Sequence, residues 1–171
     1  MREKKLSARF EAIAGFVVDG EAIADIGSDH ALLPLFLVKE GISPYTILTD
    51  ISDGPLERTR ARVDKAITAS PQVYAGSRFD LRLGDGLNAL SASEVDTVVI
   101  AGIGGETIVS MLESDPVKTK SFRKYILQPR TRAEMLGRWL AKAGWEVFAK
   151  TKVKEKWRVC DIIVCTPREV I

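Results

Sequence analysis

An apolar run at residues 22–26, interrupted only by Asp25, leads into a turn that could hold a ligand. The turn combines one glycine with three polar residues, Gly27, Ser28, Asp29 and His30. A second apolar segment at residues 31–38 follows and is long enough for a helix. A strand, a glycine turn and a helix in this order form the nucleotide-type site of open α/β sheets. Because Gly27 has no Cβ, a ligand can lie close to its backbone.

The chemistry of this turn restricts the class of ligand. The G-x-G-x-x-G pattern that cradles a pyrophosphate is missing, which disfavours a nicotinamide-dependent oxidoreductase. The acidic side chains of Asp25 and Asp29 would also repel a pyrophosphate. A cationic or neutral ligand fits better, and S-adenosylmethionine, with its sulfonium and ammonium groups, is the predicted one. His30 is the one histidine of the sequence, and a histidine in such a loop is more often a capping or packing residue than a catalytic one.

Acidic residues also follow the second and third predicted strands. Asp50 lies 23 residues beyond Gly27, where an acidic residue typically takes the ribose hydroxyls, although aspartate is also common in turns for structural reasons. Ile51 could pack on a purine, but a core position is the simpler interpretation. Asp85 and Gly86 could accept a hydrogen bond from an adenine amino group, and a purely structural Gly-Asp-Gly turn would have the same sequence.

A glycine-rich stretch, Gly-Ile-Gly-Gly at residues 102–105, follows the predicted central strand. A tight turn needs one or two glycines, so three in four residues indicate that a ligand or target base approaches the backbone closely. Gln128 and Pro129, after the fifth predicted strand, could shape the same pocket.

These stretches need a framework that brings them together. Apolar runs and alternation predict strands at residues 22–26, 45–49, 79–83, 95–101, 125–127, 145–151 and 159–166. Helical spacing predicts helices at residues 4–18, 31–39, 55–69, 106–113 and 132–143. In the first helix an apolar stripe covers the sheet, with Lys4, Lys5 and Arg9 near its exposed end. Residues 152–158 are expected to join the last two strands.

Alternating strands and helices followed by a final hairpin predict one α/β domain. The 171 residues suffice for a single domain with its own core. We expect a mostly parallel, Rossmann-like sheet with helices on both faces and an antiparallel C-terminal strand. The loops that carry the candidate residues then meet at one edge of the sheet.

Composition and charge limit the cellular setting and the partners. No apolar run is long enough for a membrane span, and no signal-peptide pattern is present. The two cysteines, Cys160 and Cys165, have neither a metal-binding spacing nor a disulfide framework, which predicts a reducing cytoplasm. Residues 118–158 carry 13 lysines and arginines against three glutamates. This charge fits either a phosphate-binding lobe or cations scattered over several faces, equally well. Among the tryptophans, Trp157 is the one that could stack on RNA.

Five stretches resemble the bacterial TrmK family of tRNA adenine-22 N1-methyltransferases. They lie at residues 6–14, 24–31, 84–87, 100–105 and 127–129. The resemblance implies a class I, seven-stranded methyltransferase fold, S-adenosylmethionine as the cofactor and tRNA as the substrate. It is most specific at Asp-Ile-Gly-Ser-Asp-His and at Gly-Ile-Gly-Gly.

The resemblance also implies a role for each candidate residue. The residues expected to bind the cofactor are Asp25, Gly27, Ser28, His30, Asp50, Ile51, Asp85, Gly86 and Gly102. Those expected to contact the target base are Gly105, Gln128, Pro129 and Arg130. Asp29, which could stabilise the cationic product, and Gly104 are the candidate catalytic residues. N1 of adenine is unprotonated at neutral pH, so catalysis should depend on alignment and on exposing a paired base.

The family usually carries a helical region after this domain, and the sequence ends at Ile171, soon after the last predicted strand. We therefore expect a single methyltransferase domain without that region, and a monomer. Two alternatives stay open: a methyltransferase for a different substrate, and a non-catalytic RNA-binding module with a vestigial cofactor pocket.

Overall fold

One seven-stranded sheet organises the protein, for which a computed structural model describes residues 6–28 and 30–168. The strand order is β3-β2-β1-β4-β5-β7-β6. The strands are β1 (Ile23–Ile26), β2 (Tyr45–Asp50), β3 (Arg78–Leu83), β4 (Thr97–Ile103), β5 (Lys124–Pro129), β6 (Glu146–Glu155) and β7 (Arg158–Thr166).

The first five strands are parallel and the last two form an antiparallel pair. β1 lies between β2 and β4, with Ile23 opposite both Thr46 and Thr97. β7 runs antiparallel to β5, with Leu127 opposite Ile163, and to β6. The carboxyl ends of β1 to β5 therefore meet at one edge. The predicted fold class is confirmed.

Within residues 6–28 and 30–168, six α-helices cover the sheet. They are α1 (Ala8–Ala14), α2 (Leu32–Lys39), α3 (Asp53–Ala69), α4 (Gly105–Ser114), α5 (Pro116–Ser121) and α6 (Ala133–Lys142), with a short 3₁₀ helix at Gly86–Ala89. Side chains that alternate along β4 separate the two faces. Val98 and Ile100 belong to the core under α4 and α6, whereas Val99 belongs to the core under α1 and α2. Helices on both faces, as predicted, bury the sheet.

The first helix is shorter than the predicted span of residues 4–18. Ser7 caps it, and after Ala14 the chain tightens into turns in which Phe16 N donates to Ile13 O and Val17 N to Ala14 O. Val17 is nevertheless 7% exposed, so the apolar stripe stays on the core after the helix has ended. Lys4 and Lys5 lie outside the described residues.

The last hairpin is longer than predicted. The strands continue through Glu155 and resume at Arg158, so Lys156 and Trp157 alone connect them, instead of residues 152–158. Alternation explains the extension, because Val153 packs on the α1 side while its neighbours Lys152 and Lys154 are exposed. Residues 116–121, for which no element was predicted, form α5. The side chain of Asp115 caps this helix by accepting a hydrogen bond from Lys118 N.

Among the described residues, no helix has the length and apolar character needed to cross a membrane. The same part of the chain holds no group of three or more histidine, cysteine or acidic side chains arranged to bind a metal. Cys160 and Cys165 are free and buried, and burial raises the pKa of the Cys165 thiol to about 12.

Candidate functional site

The turn after β1 is fixed to the end of β2. The amides of Gly27 and Ser28 both donate to Thr49 O, at 3.0 Å. Gly27 has a φ of +70°, which favours glycine, and a Cβ there would lie 3.4 Å from Cδ1 of Ile103. Two cavities at the carboxyl edge of the sheet reach Gly27 from different sides. This glycine therefore joins the two parts of the candidate site.

The larger cavity has a volume of about 380 Å³ and lies among α1, β1, β4, β5 and the last hairpin. Its charged lining consists of the carboxylates of Asp25 and Glu155 and the guanidinium groups of Arg9, Arg130 and Arg158. Asp25 is 6% exposed. A cavity that presents both signs of charge suits a zwitterionic ligand, such as the amino-acid end of a nucleoside conjugate.

Gln128 organises one wall of the larger cavity. Its Oε1 accepts hydrogen bonds from Arg9 Nη1 at 2.8 Å and from the Gly102 amide at 3.0 Å. Its Nε2 donates to Pro129 O at 3.0 Å. Because the side-chain amide already holds three protein partners and is buried, Gln128 positions Arg9 and Gly102. Direct contact of Gln128 with the substrate stays a prediction.

Arg9 is the main functional candidate that the sequence analysis missed. We expected it near the exposed end of α1; that was wrong, since its side chain is 20% exposed and faces the larger cavity. Arg9 Nε lies 3.4 Å from Glu155 Oε2. Arg9 Nε and Glu155 Oε1 are nevertheless buried without a hydrogen-bond partner among the described residues. This ion pair therefore leaves a buried donor and a buried acceptor beside the cavity.

The smaller cavity, of about 110 Å³, lies between the β1 turn and the start of α3. Asp50, Ser28 and His30 line it. Asp50 Oδ1 accepts a hydrogen bond from Ser52 N at 2.9 Å, which fixes the carboxylate at the end of β2. Ser28 Oγ is buried and has no hydrogen-bond partner among the described residues. Arg58 also lines this cavity, which thus offers a carboxylate, an unused hydroxyl and a guanidinium to a polar ligand.

An apolar surface adjoins Asp50. Ile51 is 68% exposed, which excludes the core position that the sequence left open. Leu83, which pairs with Asp50 across β2 and β3, is 52% exposed. Asp85 is exposed on the following loop, whereas Gly86 is buried with a φ of +54° against Met111. Exposed aliphatic side chains next to a fixed carboxylate suit a nucleoside, whose base is apolar on its faces.

The three glycines at residues 102–105 differ in their backbone conformation and in the space around them. Gly102 has a φ of +73° and faces Arg9, whose Nη1 would lie 3.2 Å from an added Cβ. Gly104 is the residue before α4 and has an ordinary φ of −62°. Gly105 is packed so tightly that a Cβ would lie 2.8 Å from Arg132 O, and its amide donates to Thr131 O. Packing accounts for Gly105, and its predicted substrate contact is untested.

Two of the remaining candidate residues line the cavities. His30 lines the smaller cavity with a φ of +60°. Arg130 lines the larger one and its amide donates to Ile103 O. Asp29, the candidate for stabilising the product, lies outside the described residues. Arg9, Glu155 and Arg158 were not predicted at the site, because α1 and the last hairpin are far apart in the chain and meet only in the folded structure.

Residues 6–163 match the family model described as a methyltransferase domain. Together with the sheet order and the site at its carboxyl edge, this match defines a Rossmann-like methyltransferase of class I. The tRNA (adenine(22)-N(1))-methyltransferase of Bacillus subtilis is 32% identical over 164 residues, which are 96% of this chain and 66% of that enzyme. The chain belongs to the TrmK family.

Solved structures agree with this assignment. The m1A22 tRNA methyltransferase TrmK of B. subtilis superimposes with a TM-score of 0.85 at 32% identity, over 98% of this chain and 68% of that one. Sp1610 of Streptococcus pneumoniae, in complex with S-adenosyl-L-methionine, gives 0.86 at 30% identity, over 98% and 75%. This chain thus spans about two thirds of the length of the B. subtilis relative.

Proposed function

We propose that this protein transfers the methyl group of S-adenosylmethionine to N1 of adenine 22 in tRNA. The observation that carries the proposal is the meeting of two cavities at Gly27, a larger one of mixed charge and a smaller one in which the Asp50 carboxylate faces the same space as Arg58. An elongated ligand that is zwitterionic at one end and a nucleoside at the other matches this arrangement. The name of the B. subtilis relative supports tRNA as the substrate, and the S-adenosyl-L-methionine bound to Sp1610 supports the cofactor. A tRNA substrate implies a cytoplasmic enzyme.

The residues present fit this cofactor. In the larger cavity the buried Arg9 Nε can donate to a carboxylate, while Asp25 and the free Glu155 Oε1 can accept from an ammonium group. In the smaller cavity Asp50 can accept from the ribose hydroxyls. Ile51, which is exposed next to Asp50 in the chain, offers an apolar surface to the adenine. The carboxylates of the larger cavity would also attract the permanent positive charge of a bound sulfonium.

Catalysis by these residues would be mainly a matter of position. When bound, S-adenosylmethionine supplies an electrophilic methyl group. Adenine N1 is already unprotonated at neutral pH, so no residue has to remove its proton first. Gln128 fixes the Arg9 side chain and the Gly102 backbone at the wall of the larger cavity, which is the wall that a target base would meet. Such fixed surroundings align the reacting atoms and exclude water.

The test is methylation of an unmodified tRNA transcript with labelled S-adenosylmethionine, followed by nucleoside analysis. We expect N1-methyladenosine in the transcript with adenine 22 and none in a matched transcript with guanine at that position. Calorimetry with S-adenosylmethionine alone separates the alternatives. Cofactor binding without methylated tRNA would favour a methyltransferase with another substrate, and tRNA binding without cofactor binding would favour a non-catalytic module.

A further inference from the structure

The last hairpin projects beyond the sheet at the edge that carries the site. β7 begins at Arg158, while the register of Leu127 with Ile163 puts the end of β5, Pro129, level with Asp161. Three residues of β7 therefore extend past β5, a distance of about 10 Å at the usual rise of a strand. The tip of this hairpin, residues 154–158, stands beside the mouth of the larger cavity, which Glu155 and Arg158 line.

The hairpin tip carries three exposed cations that are not held in ion pairs among the described residues. Lys154, Lys156 and Arg158 are exposed, and none forms an ion pair within 4.0 Å in the part of the chain that the structure describes. The acidic residue of the tip, Glu155, points inward to Arg9. The cations of residues 118–158 do not form one lobe, since Lys124 is held by Glu21 at 2.7 Å at the opposite edge. Among the cations of that segment, those that adjoin the site are the ones of the tip and Arg130, which lines the larger cavity.

Trp157 adds an aromatic surface to these cations. Its side chain is 80% exposed, although burial of a tryptophan is strongly favourable. The guanidinium of Arg158 lies over the ring, 4.5 Å from its centroid. One face of the indole is thus associated with a cation that also lines the cavity. Aromatic rings combined with cations are the usual surface for unpaired nucleotides.

We propose that the hairpin tip is an RNA-contact surface, in which Trp157 stacks on a base next to the target adenine and Lys154 and Lys156 contact phosphates. The proposal rests on the proposed function. An acidic protein would satisfy the lysines, but it would leave the exposed indole without a role. A nucleic acid uses both features, and its target base would enter the cavity that this tip borders.

Three variants test this surface against tRNA: Trp157→Ala, Trp157→Phe and the double variant Lys154→Gln, Lys156→Gln. Binding of tRNA is measured by fluorescence anisotropy over a range of salt concentrations, and binding of S-adenosylmethionine by calorimetry. We expect Trp157→Ala to weaken tRNA binding by about 5- to 100-fold, and Trp157→Phe to keep most of the affinity. The double variant should lower the dependence of log K on log salt by about 2. Cofactor affinity should be unchanged in all three.

Matched controls lie at the other edge of the sheet. Phe148 is 56% exposed on the same hairpin, and Arg123 is 84% exposed, so Phe148→Ala and Arg123→Gln should leave tRNA binding unchanged.

Unaltered tRNA binding by Trp157→Ala would overturn the proposal, as would an equal loss of S-adenosylmethionine binding. Equal weakening of binding to poly-glutamate and to tRNA would overturn the choice of RNA. If the unaltered protein methylates tRNA while Trp157→Ala methylates it equally well, this inference alone fails; absence of methylation by the unaltered protein refutes the proposed function instead.

Discussion

Arg9 of α1 and Gln128 of β5 lie 119 residues apart in the chain and share a hydrogen bond of 2.8 Å. The same Gln128 oxygen accepts from the Gly102 amide, so one side chain connects the first helix with the ends of two central strands. Arg9 also meets Glu155 of the last hairpin. Helix α1 and the last hairpin therefore converge on the wall of the larger cavity. The cofactor affinity should depend on the contact between Arg9 and Gln128.

Replacing Arg9 should weaken cofactor binding. Arg9→Ala removes the buried Nε donor and the partner of Gln128, and we expect the Kd of S-adenosylmethionine to rise by roughly 10- to 100-fold, the size of a lost charge-assisted hydrogen bond. Calorimetry measures the change directly. Arg123→Ala, at an exposed ion pair on the opposite edge, is the matched control and should leave the Kd unchanged. Equal affinities for Arg9→Ala and the unaltered protein would show that Arg9 has no part in binding.

Asp50→Asn should weaken binding of the nucleoside end of the cofactor. Asparagine keeps the oxygen that accepts from Ser52 N, so the turn is preserved while the negative charge is lost. We expect a rise in Kd of about 10-fold or more for S-adenosylmethionine. An analogue of S-adenosylhomocysteine without ribose hydroxyls should bind the variant and the unaltered protein equally. Asp53→Asn, in the first turn of α3, controls for the change of charge. A variant that discriminated against the analogue as strongly as the unaltered protein would contradict the role given to Asp50.

Much of the fold could be predicted because buried strands require a simple pattern of apolar residues. Residues 98–100 of β4 are buried on both sides, which makes this run continuously apolar, and Asp50 ends β2 at the position where an acidic side chain reaches the site. Arg9 could not be placed in the same way. Its position beside an apolar helical stripe is equally typical of an exposed residue, and only the contact with Gln128 distinguishes the two.

The glycines illustrate a second limit of the sequence. Gly102 and Gly105 look equivalent in the motif, but one faces the cavity and the other is enclosed by the backbone of residues 131–132. Their difference arises from the loop that follows β5, which is separated from Gly105 in the chain by α4, α5 and β5. The family resemblance predicted that Gly102 binds the cofactor and that Gly105 contacts the target base, and nothing in the local sequence could have separated a packing requirement from a binding one.

Gly105→Ala should therefore destabilise the fold. An added Cβ would lie 2.8 Å from Arg132 O and 2.9 Å from Thr131 O, and backbone atoms cannot move away cheaply. We expect the free energy of unfolding, measured by urea denaturation, to fall by about 1–3 kcal/mol. Gly104→Ala is the control, because its nearest contact would be the Thr131 Oγ1 side-chain atom at 3.3 Å and its φ is ordinary. Equal stability of the two variants would contradict the packing explanation.

An ion-pair cluster away from the site should make stability depend on pH. Arg82 Nη2 donates to Asp80 Oδ2 at 2.7 Å and Arg82 Nη1 to Glu94 Oε2 at 2.8 Å, linking β3 to the loop before β4. The hydrogen bonds from Arg82 lower the pKa of both carboxyl groups. Since each pKa is lower in the folded state, the stabilisation is complete above the unfolded pKa, about 4, and is lost as the pH falls through the folded values.

Arg82→Met removes this contribution while keeping an apolar stem of similar length. We expect the variant to lose about 1–3 kcal/mol of unfolding free energy at pH 7, and the difference from the unaltered protein to begin to shrink at pH 3, because that pH lies below the unfolded pKa of about 4. Urea denaturation at both pH values measures this. Arg60→Met, at an exposed pair with Glu57, should cost about 0.5 kcal/mol or less at either pH. A loss for Arg82→Met that is equal at pH 7 and pH 3 would mean that packing of the Arg82 stem, and not the ion pairs, holds β3 to this loop.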